Sequence, residues 1–217
     1  MRKRTTRILT GVAIVVVVLG IVYAVAVAVS AAKLRRAYAA LEKAGRPTQI
    51  AQVIPPLVPD PENAALLYES AVLLLKAQPA PEKNLLEYLS NLAGTSSDKP
   101  LDPNEQAELE SLLRQDIIGR ALSIVKQGTQ RPSCRFQNDY TAGISMSLDH
   151  LAKQRDLARI LGAKALLQAK DGQAGEAWDT VLTQARFADA LRAEPVLVSQ
   201  LVRSAQIELA CTTIQRL

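Results

Sequence analysis

Hydrophobic positions follow two different rhythms along this chain. Residues 8–29 (ILTGVAIVVVVLGIVYAVAVAV) run for twenty-two positions without a charge, whereas later apolar residues recur every three or four positions among polar ones. At about 1.5 Å per residue the first run makes a helix of roughly 33 Å, long enough for a ~30 Å hydrocarbon core. Lipid offers no hydrogen-bond partners, so such a segment closes its own backbone bonds as a helix. The pattern predicts a transmembrane helix followed by an all-α body.

Helical spacing continues through residues 31–44, where Leu34, Tyr38 and Leu41 share a face, until Gly45-Arg46-Pro47 stops it. Residues 48–61 hold Pro55, Pro56, Pro59 and Pro61 and read as an extended linker. Asp60-Pro61-Glu62 is a helix-start signal, predicting a helix to about Gln78 with Ala64, Leu67, Ala71, Leu74 and Leu75 as its apolar stripe. A shorter helix is expected over residues 82–92, then a loop over 94–100. Asp102-Pro103-Asn104-Glu105 repeats the start signal and predicts one helix to about Gln127, closed by Gly128.

Residues 129–143 (TQRPSCRFQNDYTAG) have no period and are expected to form a long loop. Three helices follow, over residues 144–170, 175–193 and 195–216, with Asp171-Gly172-Gln173 turning the chain between the first two. The last carries Val198, Leu201, Val202, Ala205 and Leu209 as its expected core face. It reaches Leu217 with neither a cap nor a polar tail, so the expectation is a chain that continues into a further helix.

Charge adds a direction to this architecture. Arg2, Lys3, Arg4 and Arg7 precede the apolar run, against Lys33, Arg35 and Arg36 behind it. The more basic flank stays in the cytoplasm. The domains expected are therefore a cytoplasmic tail (1–7), a signal anchor (8–29), a juxtamembrane helix and linker (30–61), and a helical domain (62–217) outside the cytoplasm. The competing reading is a cleaved signal peptide, because Ala24-Val25-Ala26 and Ala26-Val27-Ala28 are A-x-A patterns. The run exceeds the usual 7–15-residue signal core, which favours retention. Gly20, Ala24, Ala28 and Ala32 form a small-residue stripe through which two anchors can pair, although an Ala-Val alternation generates that spacing by itself.

The chain holds 26 basic and 21 acidic side chains, but seven of the basic ones precede residue 37 and no acid does. The remainder therefore carries 19 against 21, without the basic footprint that a nucleic-acid binder needs. Aromatics make up only 4% while Ala and Leu abound, which favours helices over a β-sandwich. Two cysteines, Cys134 and Cys211, are too few for a disulfide framework; a single bridge and two free thiols both remain open.

The stretch AKALLQAKDGQAGEAWDTVLTQARFADA resembles a tetratricopeptide-type repeat over about thirty residues. Gly172 stands at the hairpin turn, Ala177 five residues later, and Ala165 at the small position of the first helix. Gln184 and Asp189 depart from the family, which has Ala and Pro there. No 34-residue period recurs, so the resemblance implies one α-solenoid-like hairpin and not an array. As a whole the chain also resembles bacterial inner-membrane-anchored helical proteins, a likeness that implies no activity.

Candidate chemistry is sparse. His150 is the one histidine, and a general-base role would pair it with Cys134 as nucleophile and Asp139 as orienting group; a helix residue with no chemistry is the plainer account. No metal-ligand cluster, phosphate loop or nucleophile elbow occurs, and no cofactor is implied. Arg131, Arg135, Arg155 and Arg159 bracket the central loop and can clamp a carboxylate or phosphate, or pair with Asp139, Asp149 or Asp156. Trp178 is expected to pack at the hairpin seam. The sequence thus points to a membrane-anchored scaffold that captures a protein or peptide. The alternative is an exported enzyme or ligand sensor with a pocket near Cys134, Asp139 and His150.

Overall fold

The computed structural model describes residues 2–80, 84–98 and 101–217, and divides into two compact units, Met1–Val53 and Ile54–Leu217. The protein is all-α: the described residues form eight α-helices and no strand, with one isolated parallel bridge between Asn63 and Ser133.

The first unit is dominated by α1 (Arg2–Lys43), a single helix in which the apolar run and the periodic segment after it are continuous. Its stretch Val17–Lys43 holds an 18-residue window apolar enough to cross a membrane, with a mean hydropathy of 2.2. Gly20, Ala24 and Ala28 lie exposed along it. The helix ends as its sequence predicts. Gly45 takes φ +67°, which lets its own N–H reach Glu42 O and the Arg46 N–H reach Leu41 O, both at 2.9 Å. That geometry satisfies the last carbonyls of the helix.

In the second unit the Asp60-Pro61 signal produces a 3-10 turn (Asp60–Glu62) and not the start of the long helix. α2 (Ala64–Lys76) begins after Asn63, whose side-chain oxygen accepts from Ala65 N at 3.1 Å. Asn63 wins because the same amide also accepts from Arg135 N at 2.9 Å and donates to Arg135 O at 2.9 Å. A tertiary contact therefore fixes the helix start. The face α2 buries is Ala64, Ala65, Tyr68, Ala71, Val72 and Leu75; Leu67 and Leu74 of the expected stripe are only half-buried.

α3 (Leu85–Asp98) continues through Gly94 into the stretch read as a loop. Glu82, where that helix was expected to begin, and residues 99–100 lie outside the described residues. Arg159 packs beside Gly94, where a Cβ would stand 3.2 Å from the guanidinium carbon. The start at Asp102 is as the sequence predicts. Asp102 accepts from Asn104 N and Glu105 N at 2.8 and 3.0 Å, and the Glu105 carboxylate accepts in return from Asp102 N.

The helix expected over residues 102–127 is two, α4 (Pro103–Leu113) and α5 (Asp116–Gly128), broken at an extended Gln115. Partners distant in sequence hold the break. Lys164 donates to Leu113 O at 3.0 Å, and Arg114 forms a two-pronged ion pair with Asp171 at 2.7 and 2.8 Å. After the break α5 buries Ile118 and Val125 fully and leaves Ile117 and Ile124 only partly buried.

Residues 129–148 carry a 3-10 run (Tyr140–Ser145) and no α-helix; α6 (Asp149–Lys170) starts five residues later than its pattern suggests. Its hairpin with α7 (Ala174–Ala188) turns on Gly172 at φ +76°, with Gln173 N on Gln168 O at 2.8 Å. Ala165 and Ala177 are buried. Gln184, where the resembled family has Ala, is fully buried and donates to Ala158 O at 2.9 Å, tying the two helices together. A 3-10 turn (Asp189–Leu191) finishes α7 early, and α8 (Leu197–Arg216) packs on both helices of the hairpin.

The core runs from α2 through α3, α5 and α6 to Phe187 and Leu191. Fully buried Leu75, Leu86, Leu89, Ile118, Ile160 and Leu191 each stabilise it by about 1.5–3 kcal/mol.

Candidate functional site

The residues singled out in the sequence separate into two places. One is the central loop. His150, at the start of α6, points Nε2 at both oxygens of Glu194, 2.9 and 3.1 Å away. The Phe136 ring stacks on the imidazole with centroids 4.5 Å apart, and Asn138 donates to the same carboxylate at 3.2 Å. Glu194 is 4% exposed. The partner of His150 is therefore Glu194 and not Asp139. Asp139 is exposed and caps its own loop, held below the usual carboxylate range by the Thr141 hydroxyl and then by the Thr141 N–H.

Cys134 lies near this cluster, but burial, and after it the Glu194 and Glu69 carboxylates, push its thiol up to about 12. Nucleophilic cysteine chemistry needs the thiolate. At neutral pH this thiol is protonated, and the carboxylates beside it oppose its ionisation. Cys134 and Cys211 are both free, the second exposed.

Arg131 and Arg135 also belong to the loop, and neither faces a carboxylate as expected. Arg131 donates to Asp60 O at 3.4 Å and Arg135 to Pro55 O at 3.2 Å. With the Asn63 amide they fasten the loop to the segment ahead of α2. The arrangement is a set of backbone pins.

The second place is α8 and the helices beside it. The expected core face of α8 is turned outward: Leu201 is 61% exposed and Val198 49%, Ala205 is exposed, and only Val202 and Leu209 are half-buried. What α8 buries instead is Ser199, Gln206, Ala210 and Thr213. Gly162 of α6 brings the backbone so close that a Cβ there would stand 2.9 Å from Gln184 Nε2 and 3.0 Å from Thr213 Oγ1. At that point the seam has no room for a larger side chain than Thr213. Among the described residues, neither amide atom of Gln206 nor the Ser199 hydroxyl has a hydrogen-bond partner. An orphaned buried polar group costs about 1–3 kcal/mol, so this orientation carries a penalty the body bears elsewhere.

Arg155 and Arg159 sit here and not at the loop. With Gly94 they line the wall opposite α8's apolar stripe, across a groove of about 380 Å³. Between them, Asp156 accepts from the Ser90 hydroxyl at 2.8 Å; burial raises its pKa while the Ser90 bond and the two arginines oppose that rise. Trp178, expected at the seam, is 49% exposed on the outer face of α7 together with Leu182.

Sequence reasoning missed Glu194, Asn63 and Gln206. Only the last had a signal: Ser199, Gln206 and Thr213 repeat every seven residues, a polar line on one face of a helix. Among the described residues no group of His, Cys, Asp or Glu is placed to hold a metal ion. No protein-family model, curated protein or solved structure matches the chain.

Proposed function

We propose that this protein is a membrane-tethered helical interaction module, whose body captures a protein or peptide partner by surface complementarity. The observation that carries the reading is α8, which presents Val198, Leu201 and Ala205 to solvent while Ser199, Gln206 and Thr213 face inward. Exposed apolar side chains scattered singly need no explanation, but a contiguous stripe on one helix, beside a groove, is the signature of a docking surface. The tether is α1, and its four leading basic residues against three behind it favour a cytoplasmic N-terminus with the body outside, in a bacterial inner membrane. The tetratricopeptide-like hairpin of α6 and α7 fits the same reading, since such hairpins serve as rigid platforms.

The test is site-specific. A benzophenone amino acid at Leu201 should cross-link a discrete protein in whole cells, and the same probe at Gln127, exposed on α5, should not. Equal or absent adducts at the two positions overturn the reading.

A further inference from the structure

The groove beside α8 has a chemistry that narrows its occupant. One wall is apolar, formed by Val198, Leu201, Val202, Ala205 and Leu209. From residue 198 to 209 this wall spans about 17 Å, the length of a three-turn helix. The other wall carries two cations. Arg155 is exposed and Arg159 half-buried, and among the described residues neither guanidinium donates a hydrogen bond or closes an ion pair within 4 Å. Asp156, between them, accepts from Ser90 and attracts both guanidiniums without a close ion pair, and Glu87 and Asp149 stand on the side away from α8. Beneath the groove lies Gln206, 2% exposed, with both amide atoms unpartnered. Apolar surface, two guanidiniums without a hydrogen bond or close ion pair, and an unsatisfied buried amide meet at one place.

We propose that this groove binds an amphipathic helix of a partner protein, with apolar residues at three- and four-residue spacing and carboxylates along one edge. The apolar edge covers the α8 stripe, and the carboxylates pair with Arg155 and Arg159, whose planar forks suit two-pronged carboxylate binding. A helix matches the groove in length and leaves no partner backbone unpaired. A bilayer fits less well: the surface is concave, and the chain beyond residue 36 carries 19 basic against 21 acidic residues, so it has no net attraction to anionic lipid. The proposal rests on the interaction-module reading above.

The experiment selects peptides of about 16 residues from a displayed random library on the full-length chain in detergent, then measures individual binders by fluorescence anisotropy. Enriched sequences should combine i, i+3/i+4, i+7 apolar positions with Asp or Glu. Arg155→Glu together with Arg159→Glu should weaken them by about tenfold or more, as should Leu201→Asp, while circular dichroism of both variants stays native. Charge-reversed peptides, with Lys for the acids, should bind the double-Glu variant better than the native chain.

Basic or neutral consensus sequences, or binding indifferent to the arginine variants, overturn the proposal and leave the interaction reading standing. So does binding lost in Leu182→Asp on α7 but not in Leu201→Asp. Self-association of the chain that Leu201→Asp abolishes overturns it in favour of a second copy. A dye on Leu201→Cys that becomes buried in anionic but not in neutral nanodiscs overturns it in favour of lipid. Failure to enrich any peptide overturns the proposal, while the cross-linking at Leu201 decides the interaction reading by itself.

Discussion

Asn63→Ala is expected to lower the stability of the helical body by about 2–4 kcal/mol. One side chain makes three bonds that no neighbour can replace. It accepts from Ala65 N, capping α2, and it clasps the Arg135 backbone by accepting from its N–H and donating to its carbonyl. The residue is 8% exposed, so the groups it leaves behind do not find water freely. For a body of this size, 2–4 kcal/mol corresponds to a fall in Tm of about 5–15 °C. Asn63→Asp keeps both accepted bonds and loses the donated one, and its Tm should lie between those of the native protein and the Ala variant. A melting temperature within about 1 °C of native for Asn63→Ala would show that the central loop is not held through this residue.

The second large effect comes from Gly128→Ala. Gly128 is the last residue of α5, and a Cβ there would overlap the Tyr68 ring, with Cδ1 2.9 Å and Cζ 3.0 Å away. The ring has no room to retreat: it is 3% exposed and meets Phe187 edge-on, 4.7 Å between centroids, and Phe187 is itself fully buried. Overpacking of this kind costs about 1–3 kcal/mol, which outweighs the roughly 0.5–1 kcal/mol of helix propensity that Ala contributes over Gly. The check is non-additivity. In a Tyr68→Leu background the penalty of Gly128→Ala should largely vanish, because the ring it strikes is gone. Equal penalties in the two backgrounds would place the strain elsewhere.

These two positions mark what could be read from the chain and what could not. Helix composition, the Gly45 and Gly172 turns and the Asp102 capping box follow from local chemistry, and the structure has them where the sequence puts them. The failures share a different cause. Asn63 displaces Asp60 as the cap of α2 because of Arg135, seventy-two residues away. The α4–α5 break is held by Lys164 and Arg114–Asp171 contacts that no local pattern contains. Most instructive is α8. Its apolar period is plain, yet the helix turns Ser199, Gln206, Ala210 and Thr213 inward instead, with Thr213 packed against Gly162. Periodicity identifies the apolar face of a helix; it does not say whether this chain or another covers that face. The Cys134–His150 site shows the same limit, since Glu194 had no signal and the thiol's ionisation depends on its burial.

Everything proposed about partners depends on which way α8 faces, and cysteine accessibility along that helix tests it most directly. In a Cys211→Ser background, single Cys substitutions at Val198, Leu201 and Ala205 should react with maleimide about a hundredfold faster than those at Ser199, Gln206 and Ala210, in variants that melt within a few degrees of native. The reverse order, with positions 198, 201 and 205 protected and 199 and 206 reactive, would mean that α8 buries its apolar stripe in solution, and the docking surface would not exist.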